Sequence, residues 1–262
     1  MTYRSTVLIV FALLSAPMAS ADSVDVVTGD ATWRPFQTPS MTGTAYWNNW
    51  SLDGNHQCNI GYWLSGTGGC TARAGQFYVD SPRLTPAYLG DATTGFKLTK
   101  APDTASVTLT NRLEVSAYSP INEVGWFDTN SPTVLNRLFA GTANVGATAT
   151  FVPSGSYGFY LTSREGTYLS TGAGDTRTHF TVFQLTANGR YIFGLEDMWT
   201  GPDWDYNDIV FDVEVSNVPE PASMLLLGGG LAGLVAAVRR RRTRQPGQSR
   251  GNARSQEQGA AL

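Results

Sequence analysis

The sequence predicts an all-β protein: an antiparallel β-sandwich of jelly-roll-like type, flanked by an N-terminal signal peptide and a C-terminal single transmembrane helix. Three observations carry that expectation. Short runs between residues 106 and 215 alternate apolar and polar side chains with period two, the spacing of a half-buried strand. Glycine supplies 28 of 262 residues, above the usual ~7%, and sits beside 7 Trp, 11 Tyr and 12 Phe, a mixture suited to short strands joined by tight turns. No stretch of the exported part repeats its apolar residues at helical spacing over helical length.

Residues 1–21 have the order of a secretory signal. Arg4 provides the positive start, Val7-Leu-Ile-Val-Phe-Ala-Leu-Leu14 the apolar core, and Ala19-Ser-Ala21 the small-residue cleavage site. Eight apolar residues in a helix reach only ~12 Å, too short for a bilayer. Cleavage after Ala21 leaves Asp22 as the first residue of an exported domain, 22–217.

The first part of that domain, 22–90, differs in character and is either extra strands and loops of the sandwich or a sub-lobe. It contains Trp33, Trp47, Trp50 and Trp63, together with both cysteines. In an oxidising compartment Cys58 and Cys70 most simply pair, and closing so short a loop is worth ~3 kcal/mol in the chain-entropy model. Trp47, Trp50 and Trp63 have two uses: rings that stack on sugar faces, or core, since aromatics bury large areas.

Strands follow at Ser106–Thr110, Arg112–Tyr118, Tyr157–Leu161, His179–Leu185, Arg190–Leu195 and Ile209–Val215. Pro153-Ser-Gly155 and Asn188-Gly189 punctuate them, the latter a hairpin turn. His179 opens its strand and is expected to be half-exposed. It and His56 lack metal-ligand spacing.

Between the last two strands lies the most informative stretch. Glu196, Asp197, Asp203, Asp205, Asn207 and Asp208 place six oxygen-bearing side chains within thirteen residues. Oxygen ligands without His or Cys select a hard cation, and a flexible loop suits Ca2+ better than Mg2+. Asp203-x-Asp205-x-Asn207 begins like an EF-hand, with Glu214 at the twelfth position. Asp208 nevertheless stands where the EF-hand turn needs glycine, and the strand from Ile209 would hold Glu214 away. The expectation is a calcium loop that ends at Asp208.

At the C-terminus, Pro219-Glu220-Pro221 precedes an uncharged run, 222–238, and then Arg239, Arg240, Arg241 and Arg242. Seventeen apolar or small residues reach the lower limit for a membrane span, and the arginines hold their end in the cytoplasm. Motif, helix and basic cluster together resemble the PEP-CTERM sorting signal of Gram-negative bacteria, here 218–242. The resemblance implies a membrane-embedded exosortase as partner, cutting near Pro-Glu-Pro and passing the protein outward. Residues 243–262 form a polar tail expected to be disordered.

The acidic stretch also resembles a bacterial domain family of unknown function found on exported proteins. Its closing motif is matched by Gly194, Glu196, Asp197, Gly201, Asp203, Asp205, Tyr206, Asn207 and Asp208. Upstream pieces such as Val124–Phe127, Phe151–Phe159 and His179–Phe183 extend the likeness over roughly Glu123 to Val215. Calcium binding is what that resemblance implies.

Charge narrows the function further. The net charge is −3, but Asp22 to Pro219 holds 10 Lys and Arg against 19 Asp and Glu, leaving −9. An acidic body without a basic patch excludes nucleic acid as a partner. No nucleophile elbow, phosphate loop or zinc-protease motif is present. The expected protein is exported, surface-sorted and not an enzyme. It would be a structural or adhesive component of the envelope or extracellular polysaccharide matrix, stiffened by calcium and membrane-bound at least transiently, or else anchored by its single C-terminal helix. Carbohydrate binding through exposed aromatics is the alternative, and polysaccharide hydrolysis ranks below it.

Overall fold

Alternating apolar side chains fold into two antiparallel sheets that share one core. The computed structural model describes residues 21–36, 45–47, 59–65, 86–116, 118, 120–140, 145–172, 178–186, 189–217, 230–235 and 239. In chain order the elements are β1 (Ser23–Thr28), β2 (Trp33–Pro35), α1 (Ile60–Ser65), β3 (Ala87–Leu89), β4 (Gly95–Thr99), β5 (Thr104–Glu114), β6 (Glu123–Asp128) and β7 (Asn136–Ala140). They continue with β8 (Thr148–Phe151), β9 (Tyr157–Thr162), β10 (Thr167–Leu169), β11 (Phe180–Thr186), β12 (Arg190–Leu195) and β13 (Ile209–Asn217). One sheet runs β1-β4-β9-β6-β7, with β10 also paired to β9; the other runs β2-β3-β11-β12-β13-β5-β8. The architecture is all-β, as the period-two pattern predicts.

The core lies between the sheets. Phe96 and Leu98 of β4 and Phe159 and Leu161 of β9 meet Phe193 of β12 and Phe211 of β13. Phe159 packs edge-on against both of the latter, with ring centroids 5.1 and 5.2 Å away. That geometry sets the positive edge of one ring on the negative face of another. Along β13, Ile209, Phe211, Val213 and Val215 all point inward. Asp22 adds a polar tie at one end of the core, where Tyr157 of one sheet donates to its carboxylate and Tyr191 of the other to its carbonyl, each at 2.8 Å.

β5 is one strand where the sequence suggested two. Its pairing with β13 slips between Val210 and Phe211, matching Leu113 to Val210 and Asn111 to Phe211. Arg112 is therefore the extra residue of a bulge, and the inward-facing parity changes there. Val107 and Leu109 face the inner core, whereas Leu113 faces the outside of the sheet. The strand stops at Glu114, so 115, 116 and 118 are not the strand continuation the alternation implied.

The outer face of the seven-stranded sheet is also apolar, and it is covered. Trp47, Ile60, Trp63 and Leu64 pack there on Phe183, Ile192 and Val210. Trp47 lies 5.8 Å from Phe36 and 5.6 Å from Phe183. With Trp47 at 1% and Trp63 at 0% exposure, neither ring is available to stack on a sugar, which corrects the idea of a solvent-facing aromatic platform. β1 joins one sheet and β2 and β3 the other, so the described parts of 22–90 are built into the sandwich. Trp50 and the Cys58/Cys70 pair lie outside the described residues.

Gly194 shows how closely this layer approaches β12. A Cβ there would strike the Ile60 side chain and come within 2.5 Å of the Tyr206 carbonyl oxygen. Because the second obstacle is backbone, Gly194→Ala should cost about 1–3 kcal/mol, as overpacking does. Urea unfolding checks this; an unchanged midpoint would show that the loop can yield.

Residues 1–217 form one compact unit and 218–262 another. In the second, 230–235 are helical and exposed, and so is Arg239. Among the described residues no helix is long and apolar enough to cross a membrane. Most of 222–238 lies outside them, as do residues 1–20 of the signal segment with Ala19, Pro219-Glu220-Pro221 and Arg240 to Arg242.

Candidate metal centre

β12 and β13 are neighbours whose last ladder pair is Leu195 with Ile209, so 196–208 form the loop at one end of the seven-stranded sheet. The loop is anchored on both sides. Glu196 N–H donates to the His179 carbonyl at 3.0 Å, and His179 Nδ1 lies 2.7 Å from the Glu196 carbonyl. His179 is 2% exposed rather than half-exposed, sandwiched against Tyr168 with ring centroids 3.6 Å apart. On the far side Trp199 and Thr200 N–H groups donate to Glu165 Oε2 at 2.6 and 2.7 Å.

The returning half of the loop has unusual backbone. Trp204 and Tyr206 have φ of 56° and 55°, the left-handed region that costs L-residues roughly 1–2 kcal/mol each. Tertiary contacts hold them there. Trp204 N–H donates to Glu196 Oε2 at 3.0 Å, and the buried Tyr206 hydroxyl to the Thr178 carbonyl at 2.8 Å. Ile60 N–H, at the start of α1, donates to the Asp205 carbonyl at 2.9 Å. Such strain persists only where the surroundings over-determine it, and it concentrates at ligand sites.

Five of the six sequence-identified residues converge. One oxygen each from Glu196, Asp203 and Asp205 lies within 4.8 Å of the others, and the same holds for Glu196, Asp197 and Asp208. Asn207 serves Asp205, donating to its carboxylate from the backbone (3.2 Å) and from Nδ2 (2.5 Å). Asp208 Oδ2 accepts the Asp197 N–H at 2.7 Å. Glu214 stands exposed on β13, so the loop does not close as an EF-hand.

Burial makes this grouping electrostatically costly. Glu196 and Asp197 are both fully buried. Burial pushes the Glu196 carboxyl well above the usual carboxylate range, and Asp208, Asp203 and Asp205 push it further. Asp208 is raised too, first by burial and then by Asp197. Carboxylates crowded in this way must take up protons or a cation. With oxygen the only donor type, the cation that fits is hard, and calcium accepts such a set at 2.3–2.6 Å, a general range.

Ser116 and Asn122 were not apparent in the sequence. Ser116 Oγ donates to Asp197 Oδ2, and Asn122 Nδ2 donates to the same oxygen at 2.7 Å. They stand more than seventy residues from Asp197, and Ser116 was expected inside a strand. Val115 N–H instead donates to the Asp208 carbonyl at 3.1 Å, which turns the chain across the loop.

Comparisons with known proteins agree with the C-terminal reading. Residues 217–242 match the PEP-CTERM protein-sorting motif. Residues 149–216, which include the acidic loop, match the family described as a domain of unknown function, DUF4114. No curated protein matches the chain. Among solved structures, a Chromobacterium violaceum lectin, CV2L, in complex with alpha-methyl-fucoside is 18% identical at a TM-score of 0.28, covering 47% of this chain and 95% of its own. The sorting motif implies an exported protein, recognised by exosortase in the membrane and sorted to the cell surface.

Proposed function

We propose that the chain is a non-enzymatic, surface-destined β-sandwich whose loop from Glu196 to Asp208 binds calcium, and that it serves as a structural or adhesive component of the envelope or extracellular polysaccharide matrix. The observation that carries the cation is the convergence of Glu196, Asp203 and Asp205 oxygens within 4.8 Å. The PEP-CTERM match supports the location. In this reading the acids are ligands, and the cation fixes a loop end that would otherwise be self-repelling.

Thermal unfolding of the full chain with calcium or with EGTA tests the metal. Calcium at ~100 times its dissociation constant should add ~2.7 kcal/mol, a shift of several degrees. Asp203→Ala and Asp205→Ala should each cut the shift sharply. Identical curves for the native protein, with both variants silent, would end the proposal.

A further inference from the structure

We propose that the loop holds two cations side by side, bridged by the Glu196 carboxylate. The inference rests on the calcium reading and adds stoichiometry and a second set of ligands.

The two carboxylate clusters share Glu196 and nothing else. In each, the oxygens lie within 4.8 Å of one another. Oxygens bound to one calcium at 2.3–2.6 Å sit at most about 5 Å apart, so each cluster has the size of one coordination sphere. Asp203 and Asp205 complete the first, Asp197 and Asp208 the second.

Asp197 supplies an observation independent of the clustering. The residue is fully buried, and its Oδ2 is engaged by Ser116 and Asn122. Its Oδ1 is buried and has no hydrogen-bond partner among the described residues. Leaving a buried carboxylate oxygen unsatisfied is expensive, more so than for a neutral group. A cation beside Glu196 and Asp208 would remove that deficit, which the Asp203/Asp205 position leaves in place.

Charge gives the same answer. Glu196, Asp197, Asp203, Asp205 and Asp208 sum to −5 when ionised. One dication leaves −3 in a site with fully buried members, whereas two leave −1. A bridging carboxylate screens the two cations from each other, and each Glu196 oxygen has lone pairs left after accepting Trp204 N–H (3.0 Å) or Met198 N–H (3.3 Å).

Isothermal titration of the EGTA-stripped full chain with calcium counts the sites. Two equivalents per chain are expected, falling to one in Asp197→Asn and to one in Asp205→Asn, with Glu196→Gln weakening both. A native stoichiometry of one, lost in Asp205→Asn and unaltered in Asp197→Asn, would overturn the second site while leaving the calcium loop standing. No binding at all would overturn both. Two equivalents that persist in Asp197→Asn would also overturn the assignment. If that variant does not fold, Asp208→Asn reads the same position.

Discussion

Stripped of cations, the protein should lose stability as the pH rises from about 5 to 8, and calcium should reverse that trend. Burial and mutual repulsion raise the folded-state pKa of Glu196 and of Asp208. In the unfolded chain the same groups titrate near ~4. Between those limits the folded state binds more protons than the unfolded one, so stability falls with pH. The contribution is fully present below the unfolded value and is lost as pH climbs toward the folded one. Each proton held in this way is worth a tenfold change in the folding equilibrium per pH unit, about 1.4 kcal/mol. Calcium bound as proposed would displace these protons, so its affinity should grow with pH and the loaded protein should avoid the loss. Melting temperatures in EGTA should therefore decline by many degrees across the window, and the gap between calcium and EGTA should widen. Parallel pH profiles with and without calcium would show that the carboxylates are not coupled to a cation.

The parts of the molecule legible in the sequence are those governed by neighbours in sequence. The alternation of Ile209, Phe211, Val213 and Val215, the glycine break at Gly189 before β12 and the run of acids from Glu196 to Asp208 are local patterns, and each lies where the pattern puts it. The second layer was not legible in the same way. Tyr191-Ile-Phe193 and Ile209-Val-Phe211 are unbroken apolar runs, which mark strands buried on both faces rather than one. Such runs demand a cover over the outer face, and Trp47 and Trp63 provide it. Of the two uses the sequence leaves open for Trp47 and Trp63, sugar stacking and core, that demand selects the core. Ser116 and Asn122 escaped for another reason: nothing in a short polar turn records that it will meet Asp197 across the fold. The bulge at Arg112 was equally silent, because it is fixed by register with β13.

That cover connects directly to the acidic loop, and Trp63→Ala should expose the connection. Trp63 is fully buried on α1, against the outer face of the sheet. Truncating a buried Trp costs about 3–5 kcal/mol through lost transfer energy and the cavity left behind. The damage should extend beyond stability. α1 is six residues long, too short to persist without its packing. Its first N–H holds the Asp205 carbonyl, and the Ile60 side chain fills the space over Gly194 beside Tyr206. Loosening the helix frees the left-handed segment at Trp204 and Tyr206, whose strain is maintained by these contacts. Calcium affinity should consequently fall together with the urea midpoint, although among the described residues Trp63 Nε1 makes no hydrogen bond to a loop carboxylate. Trp63→Phe separates the effects. It keeps most of the apolar volume and removes an Nε1–H that has no partner among the described residues, so it should cost far less and leave affinity near native. Equal losses of affinity in the two variants would mean that α1 does not position the loop, and an unchanged midpoint in Trp63→Ala would mean that the outer layer is not part of the core.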